Sequence, residues 1–217
     1  MQSEAKPTRN PSETRQKLLD AAVRLMLRQG FSASSVEEIC NEAGVTKGSF
    51  FHHFPSKEAI AKAAVDAFAD MGTALYAPAW SDPEGDPLEQ LHKLLDIMVT
   101  FNQRPDGPCV CMVGMMSQEL ALTNPQMRAI CERHLADWSD RVTRMLSEAK
   151  KLHPVRTGFD PERVAWFLNS LWQGSMLIGK TRDSPEMVIS NLDLARHYID
   201  SLFLDTPKRK IPNPSST

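Results

Sequence analysis

The sequence constrains the fold most tightly through helix-capping residues that recur beside apolar residues spaced three or four apart. In the first such segment, Leu18, Ala22 and Leu25 share one helical face, and Gly30 follows where a helix would end. Signals for β-strands are nearly absent, since the chain has two tyrosines and no Asn-Gly or Asp-Gly turn between alternating segments. The chain is therefore predicted to fold as an all-α protein.

Capping residues, glycines and prolines set the predicted helix boundaries. Ser35 and Glu38 form a capping-box pattern, and Thr46 can cap the next helix. Pro55 ends that helix, because the residue before a proline is kept out of the helical region. A loop is predicted over 77–87, where Pro, Gly and Asp are frequent. The predicted helices span 12–29, 35–44, 46–54, 56–76, 88–103, 125–152, 160–180 and 184–204, with a methionine-rich stretch over 109–122.

Composition excludes several classes of protein. The 217 residues carry a formal net charge of −2, so any positive surface that binds nucleic acid must be local. Apolar runs are far shorter than the ~20 residues of a membrane helix, and the N-terminal segment lacks the apolar core of a secretory signal. The four cysteines lack the spacing of a disulfide scaffold or a zinc site. We therefore expect a reduced, cytoplasmic, soluble protein with no metal, no cofactor and no contact with membranes.

The most informative segment is 35–54, in which two short helices would meet at Gly44. A glycine permits such a tight turn, and the first helix then braces the second, as in a helix-turn-helix. From Thr46 to Lys57 the segment has lysines and histidines but no acidic residue. Gly48 has no side chain, so the backbone at the start of this helix can approach a phosphate or a base edge closely. Helix N-termini also present unpaired N–H groups to phosphate oxygens. This pattern indicates a helix that reads DNA.

Several motifs occur together between Arg15 and Ala64. They are Gly30-Phe31, Ser35-Val36, Ala43-Gly44-Val45 and the string GVTKGSFFHHFPSKEAI at 44–60. Together they resemble the DNA-binding domain of the TetR family of bacterial transcriptional regulators. The resemblance implies a three-helix helix-turn-helix domain joined by a long helix to a C-terminal helical bundle. It also implies a homodimeric repressor of a pseudo-palindromic operator, released by a small inducer.

The resemblance assigns DNA contacts residue by residue. Phosphate contacts from helix N-termini fall at Ser35 and Thr46, base-edge contacts at Lys47, Gly48 and Ser49, and contacts near the DNA backbone at His52, His53 and Lys57. The family usually has a tyrosine at the place of Phe51, where its hydroxyl donates to a phosphate. Phenylalanine cannot donate, so that contact is lost or passes to His52, and Phe51 would pack against a sugar or a thymine methyl.

Four segments are predicted along the chain. They are a flexible arm over 1–11, a DNA-binding domain over 12–57, a ligand-binding and dimerisation domain over 58–205, and a disordered tail over 206–217. In the family, the last two helices pair with their copies in a dimer. Here their apolar faces carry Val164, Phe167, Leu168, Leu171, Ser175 and Ile178 on one helix, and Val188, Leu192, Ala195, Ile199 and Leu202 on the other.

The methionine-rich stretch supplies candidates for a ligand pocket. The pattern at 111–114 resembles one branch of the family, in which a cysteine begins a pocket-lining helix. The candidate pocket residues are Cys111, Met112, Met115, Met116, Trp138 and Trp172. Methionines fill ordinary cores equally well. Thiols near helix N-termini are often reactive, so Cys111 or its neighbour Cys109 is a candidate redox or electrophile sensor, although most cysteines are inert packing residues.

Two other classes of function remain possible from the residues alone. An all-α enzyme would need a convergent set of acid, base or nucleophile, and no such grouping is recognisable. A helical interaction module would not need a recognition helix free of acidic residues. Repressor and activator are not distinguished, although repression is commoner in the family. The composition favours an apolar or reactive organic inducer.

Overall fold

The structure is a computed structural model, which describes residues 11–82, 84–103 and 110–204. Over these ranges it is an all-α fold, as the sequence predicts. The helices are α1 (Pro11–Gln29), α2 (Val36–Ala43), α3 (Lys47–His53), α4 (Lys57–Trp80), α5 (Pro87–Asn102), α6 (Met112–Leu120), α7 (Pro125–Leu152), α8 (Pro161–Arg182) and α9 (Pro185–Leu202). Pro11, assigned to the predicted arm, begins α1; the rest of the arm, the tail over 206–217 and Cys109 lie outside the described residues.

The predicted caps form around α2 and α3. The Ser35 hydroxyl accepts from the backbone N–H of Glu38, whose carboxylate accepts from the Ser35 N–H, so the capping box is complete. Gly44 ends α2 with φ +65°, a left-handed conformation that glycine adopts without strain. Thr46 then caps α3 by accepting from the N–H of Ser49 at 3.2 Å. These local interactions fix the helix-turn-helix geometry.

The fourth helix is longer than predicted. The loop expected over 77–87 begins only at Ser81, because α4 continues through Pro78 to Trp80. A proline there removes a single backbone hydrogen bond, and it does so in the last turn of the helix. Packing offsets that loss, since Ala79 is fully buried and the Arg141 guanidinium lies 5.1 Å from the centre of the Trp80 ring.

The buried residues form two cores. The first joins α1–α3 to the beginning of α4, to α6 and to the start of α7, and Phe50 of α3 is fully buried within it. The second joins α5, α8 and α9 to the C-terminal half of α7. The boundary predicted after residue 57 does not separate these cores, because Ile60, Ala64 and Val65 of α4 belong to the first. The helix α6, which follows the domain boundary by more than fifty residues, also packs with the DNA-binding helices.

The apolar faces of the last two helices differ from those predicted. All five α9 residues of the predicted face are buried within the chain, so they serve the second core. On α8, Val164, Leu168 and Ser175 are buried as well, whereas Phe167 and Ile178 are exposed. A helix has apolar residues on two faces when it packs on both sides, which a single periodic pattern does not reveal.

Candidate DNA-binding surface and adjoining cavity

The outward face of α3 carries two of the three predicted base-reading residues, Lys47 and Gly48, together with Phe51 and His52. Phe50 and the following Phe54 point into the first core, and Lys47, Gly48, Phe51 and His52 are exposed on the opposite side. Gly48, Phe51 and His52 follow Lys47 by one, four and five residues, which places all four on one helical face. Phe51 is 55% exposed, which is unusual for a phenylalanine, and its ring packs edge-on against Phe50 at 5.2 Å between centroids. We call this exposed set of four residues the α3 face.

The remaining predicted contacts of α3 and of the helix ends lie beside this face. Ser49 and His53 are half-buried, and the rings of His52 and His53 meet at 5.0 Å between centroids. The hydroxyls of Ser35 and Thr46 are both exposed, but they already take part in helix caps. A phosphate contact there would therefore come from exposed backbone N–H groups or share the capping hydroxyl.

An acidic residue stands next to the α3 face, although none lies within the segment 46–57. Glu37 of α2 accepts from the Lys47 ammonium at 2.9 Å, and both side chains are exposed. The hydrogen bond and charge of Lys47 lower the pKa of the Glu37 carboxyl, so the pair is ionised. Lys47 must leave this carboxylate to reach a base edge. Sequence reasoning on α3 alone missed Glu37, because it belongs to the preceding helix.

Lys57 is less available than the sequence suggests. Its ammonium donates to the backbone carbonyls of Phe31 at 3.1 Å and Ser34 at 2.9 Å, and it lies 4.2 Å from the centre of the Phe31 ring. An ammonium has three N–H donors, so a single donor is left for a phosphate. Lys57 thus holds the turn between α1 and α2, a role that the sequence did not predict.

A cavity of about 480 Å³ lies between the two cores. Its walls come from α4, α5, α6, α7 and α8, and they are mainly aromatic and aliphatic. The lining residues are Phe68, Ala69, Asp70, Met71, Gly72, Thr73, Leu75, Tyr76, Trp80, Phe101, Cys111, Val113, His134, Leu135, Asp137, Trp138, Arg141, Asn169, Trp172, Gln173 and Met176. This volume falls in the range of ~300–1,000 Å³ typical of sites for small organic molecules.

The structure brings three of the six predicted pocket residues to the cavity. Cys111, Trp138 and Trp172 line it. The three candidate methionines do not line it: Met112 and Met116 are fully buried in the first core, and Met115 packs against that core. They fill the space between α6 and the DNA-binding helices, because the inner side of α6 faces those helices and only its first turn reaches the cavity.

Cys111 occupies the junction of the cores and the cavity. It is the N-cap residue of α6, it is half-buried, and it packs against both cores. The Gln173 amide of α8 donates to its Sγ at 3.5 Å. Burial raises the pKa of the Cys40 and Cys131 thiols, which keeps both protonated and unreactive.

Hydrogen-bond donors interrupt the apolar wall. Burial raises the pKa of the Tyr76 hydroxyl, so it stays protonated and can donate. The Trp138 indole nitrogen is buried without a hydrogen-bond partner in the part of the chain that the structure describes. Sequence reasoning missed Tyr76, Trp80 and Gln173. The spacing of Tyr76 and Trp80 by four residues was a usable signal, but Pro78 led to the prediction of a loop there.

Neither a metal-binding cluster nor a helix able to span a membrane occurs among residues 11–82, 84–103 and 110–204. No group of three or more His, Cys, Asp or Glu side chains there is arranged to hold a metal ion. Likewise, none of the helices described combines the length and apolar character needed to cross a membrane.

Comparisons with known proteins cover both halves of the chain. A sequence model described as bacterial regulatory proteins of the tetR family matches residues 18–64, and one described as a tetracyclin repressor-like C-terminal domain matches residues 87–192. The transcriptional regulator AcuR of Cereibacter sphaeroides is 26% identical over 185 residues, which is 85% of this chain and 84% of that protein.

Two more proteins are similar over most of their length. The HTH-type transcriptional repressor DhaR of a Mycobacterium species is 28% identical over 163 residues, 75% of this chain and 80% of that protein. A crystal structure of the regulatory protein TetR from Rhodobacter sphaeroides superposes with a TM-score of 0.73 and 25% identity, covering 85% of this chain and 98% of that one. Both halves of the chain therefore have relatives among DNA-binding regulators.

Proposed function

The chain belongs to the TetR family of bacterial regulatory proteins, whose members are DNA-binding transcription regulators and not enzymes, and we propose that it is a ligand-responsive repressor. In this proposal a homodimer binds a pseudo-palindromic operator, and a small organic inducer or modification of a cysteine releases it. The observation that carries the proposal is the α3 face, which exposes Phe51 beside Lys47 while Phe50 anchors the helix in the first core.

The α3 face supplies the proposed contacts with DNA. Lys47 and the exposed backbone at Gly48 would lie at base edges in the major groove, with Ser49 beside them. Phe51 offers an apolar surface to a sugar or a thymine methyl, and His52, with its neighbour His53, would approach the backbone. Ser35, Thr46 and Lys57 would contact phosphates at the edge of the surface. Phosphate contacts position the protein, and the base-edge contacts would give specificity.

Repression is the direction of control that we propose. DhaR, 28% identical to this chain, is itself a transcriptional repressor. A dimer seated on an operator blocks the site physically, so repression needs no further surface on the protein. Operator DNA lies in the bacterial cytoplasm, and we propose that the protein acts there.

The proposed dimer forms through α8 and α9. Six large apolar side chains are exposed on these two helices: Trp166, Phe167, Leu177, Ile178, Leu194 and Tyr198. The two pairs on α8 are eleven residues apart, about three helical turns, so they share one face. Phe167 meets Tyr198 of α9 edge-on at 5.1 Å between ring centroids, which makes the patch continuous across both helices. Large exposed apolar patches mark interaction surfaces.

The dimer is tested by measuring mass in solution. Phe167→Glu places a charge in the centre of the patch, and we expect it to convert the dimer into a monomer in analytical ultracentrifugation. Leu152→Glu is the matched control, because Leu152 is 66% exposed at the end of α7 and belongs to neither α8 nor α9. A dimer that persists in Phe167→Glu would contradict the assignment of this interface.

The cavity is the proposed inducer site. Cys111, Trp138 and Trp172 contribute to its walls, and Tyr76 and Gln173 add polar atoms. An inducer of matching chemistry has an apolar body and a hydrogen-bond acceptor such as a carbonyl oxygen. Release follows if the inducer binds more tightly to a conformer with the wrong spacing of its two α3 helices, since successive major grooves are about 34–36 Å apart.

Modification of Cys111 is the second proposed route of release. The thiol faces the same cavity, so an electron-poor small molecule that enters it can add to the sulfur. The proposal predicts that Cys111→Ser loses the response to thiol reagents and that Cys109→Ser keeps it. If both variants respond as the unaltered protein does, release does not proceed through these thiols.

The experiment that tests the central proposal is fluorescence anisotropy of the purified protein with DNA fragments that flank its own gene. Random-sequence DNA is the control, and each titration is run at two salt concentrations, because phosphate contacts make binding depend on salt. We expect tight, salt-sensitive binding to one fragment, which then serves to screen apolar molecules and thiol reagents for release. A folded dimer that binds no DNA at either salt concentration would refute the proposal.

A further inference from the structure

One carboxylate of α6 holds the turn between α1 and α2. Glu119 Oε1 accepts from the backbone N–H of Phe31 at 3.0 Å, and Oε2 accepts from that of Ser32 at 2.9 Å. Hydrogen bonds to a charged acceptor are stronger than neutral ones, and a pair of them fixes orientation. Gly30 leaves room for the carboxylate, because a Cβ there would lie 2.6 Å from Oε1. We call this pair of bonds the Glu119 clamp.

The clamped turn controls where the DNA-reading helices begin. Lys57 of α4 donates to the Phe31 and Ser34 carbonyls on the other side of the turn. The Ser34 hydroxyl donates to the Gly30 carbonyl at 2.6 Å, which closes the turn on itself. Ser35, the residue after Ser34, is the N-cap of α2, and α2 in turn packs against α3. A shift of this turn relative to α6 therefore moves α2 and α3.

The other end of α6 stands in the cavity wall. Cys111 caps the helix and lines the cavity, and Val113 lines it as well. Gly114 lies against the Gln173 amide of α8, and the end of that flexible side chain would have to shift to admit a Cβ. The helix has nine residues, about 13 Å at 1.5 Å per residue. One end thus lies in the cavity wall, and the other is hydrogen-bonded to the turn.

We propose that Glu119 is the positioning residue through which α6 couples the cavity to the DNA-reading helices. Cavity occupancy moves the first turn of α6, and the clamp carries that movement to the turn between α1 and α2. This inference rests on the proposed function for its biological meaning. The clamp and its response to the cavity are properties of the protein alone and can be measured without DNA.

The test measures hydrogen exchange of the peptide that contains Phe31 and Ser32. Glu119→Gln keeps the shape of the side chain, but its amide nitrogen cannot accept from a backbone N–H, so one of the two bonds of the clamp is lost. We expect about tenfold faster exchange of the amide that loses its acceptor. Glu132→Gln is the matched control, since Glu132 is an exposed glutamate on α7. Equal exchange in Glu119→Gln and the unaltered protein would overturn the clamp.

The coupling is tested with N-ethylmaleimide as the probe that fills the cavity. Alkylation is carried out in a Cys109→Ser background, so that Cys111 is the thiol modified while Cys40 and Cys131 stay buried. We expect alkylation to change the exchange of the 31–34 amides severalfold in this background and to leave it unchanged when Glu119→Gln is added. A purely structural role for Glu119 would leave the response to alkylation in place.

If alkylated Cys111 leaves the exchange at 31–34 unchanged in the background protein, α6 does not transmit cavity occupancy and the inference is wrong. If the change persists undiminished in Glu119→Gln, transmission bypasses the clamp and the inference is also wrong. Failure of operator binding in the anisotropy experiment would refute the proposed function but would leave these exchange results standing.

Discussion

Replacing Gly48 with alanine should change stability and DNA affinity in opposite directions. Gly48 is the second residue of α3, and a Cβ there would meet no atom closer than Thr46 Oγ1, at 3.9 Å. The folded protein therefore has room for the methyl group. Alanine is favoured over glycine in a helix interior by about 1 kcal/mol. Because Gly48 lies near the start of α3, we expect about half of that gain in the free energy of unfolding. The melting temperature should rise by roughly 1–2 °C for a chain of this size.

The same methyl group points outwards from the α3 face. If the backbone at Gly48 approaches a base edge or phosphate, the methyl group prevents that approach and the hydrogen bonds made there are lost. A loss of about 1.4 kcal/mol lowers the affinity tenfold, and we expect the operator affinity to fall by about that factor or more. The affinity for random DNA should change less, because long-range phosphate attraction does not depend on close contact at one residue.

The assay pairs thermal melting with anisotropy titrations on operator and random DNA. Gly158→Ala is the matched control, because a Cβ at Gly158 meets nothing within 4 Å and the residue lies in the connection between α7 and α8. The control should leave both DNA affinities unchanged. Unchanged operator affinity in Gly48→Ala, alongside a raised melting temperature, would show that the start of α3 does not approach DNA.

Three further predictions concern single side chains. Lys57→Ala should lower the free energy of unfolding by about 1 kcal/mol, because two carbonyls lose their donor. It should also flatten the slope of log affinity for DNA against log salt by about one unit. An unchanged slope would show that Lys57 does not contact DNA. Phe51→Tyr should strengthen operator binding roughly fivefold by supplying a hydroxyl donor to a phosphate, and equal affinity would mean that no phosphate lies within reach. When the protein is alkylated at neutral pH and its peptides are analysed by mass spectrometry, Cys111 should react well before Cys40 and Cys131. The raised pKa values of those two thiols keep them protonated until higher pH. Modification of Cys131 before Cys111 would contradict the burial argument.

The helix-turn-helix could be predicted from the sequence because it depends on short-range interactions. Ser35 and Glu38 are three residues apart, and Gly44 needs only its own backbone to adopt φ +65°. Thr46 caps α3 through a residue three positions on. Caps, turns and apolar periodicity of this kind are encoded within a few residues, so each can be identified without knowledge of the rest of the chain.

The sequence did not predict structural features that depend on residues elsewhere in the chain. Pro78 is a sound loop signal by itself, but the burial of Ala79 and the stacking of Arg141 on Trp80 keep α4 helical. The methionines of α6 suit a pocket or a core equally well by composition. Only the position of α6 against the DNA-binding helices placed Met112 and Met116 in the core.

The sequence alone thus determined the all-α class, the position of the recognition helix and the family resemblance, since these reside in local patterns. Tertiary structure decided which apolar face each helix buries, where the cavity lies and which charged groups pair. Glu37 reaches Lys47 across ten positions, and Glu119 reaches Phe31 across 88. Such contacts depend on how helices pack, and packing is a property of many distant side chains acting together. The sequence around either residue of such a pair does not indicate the contact.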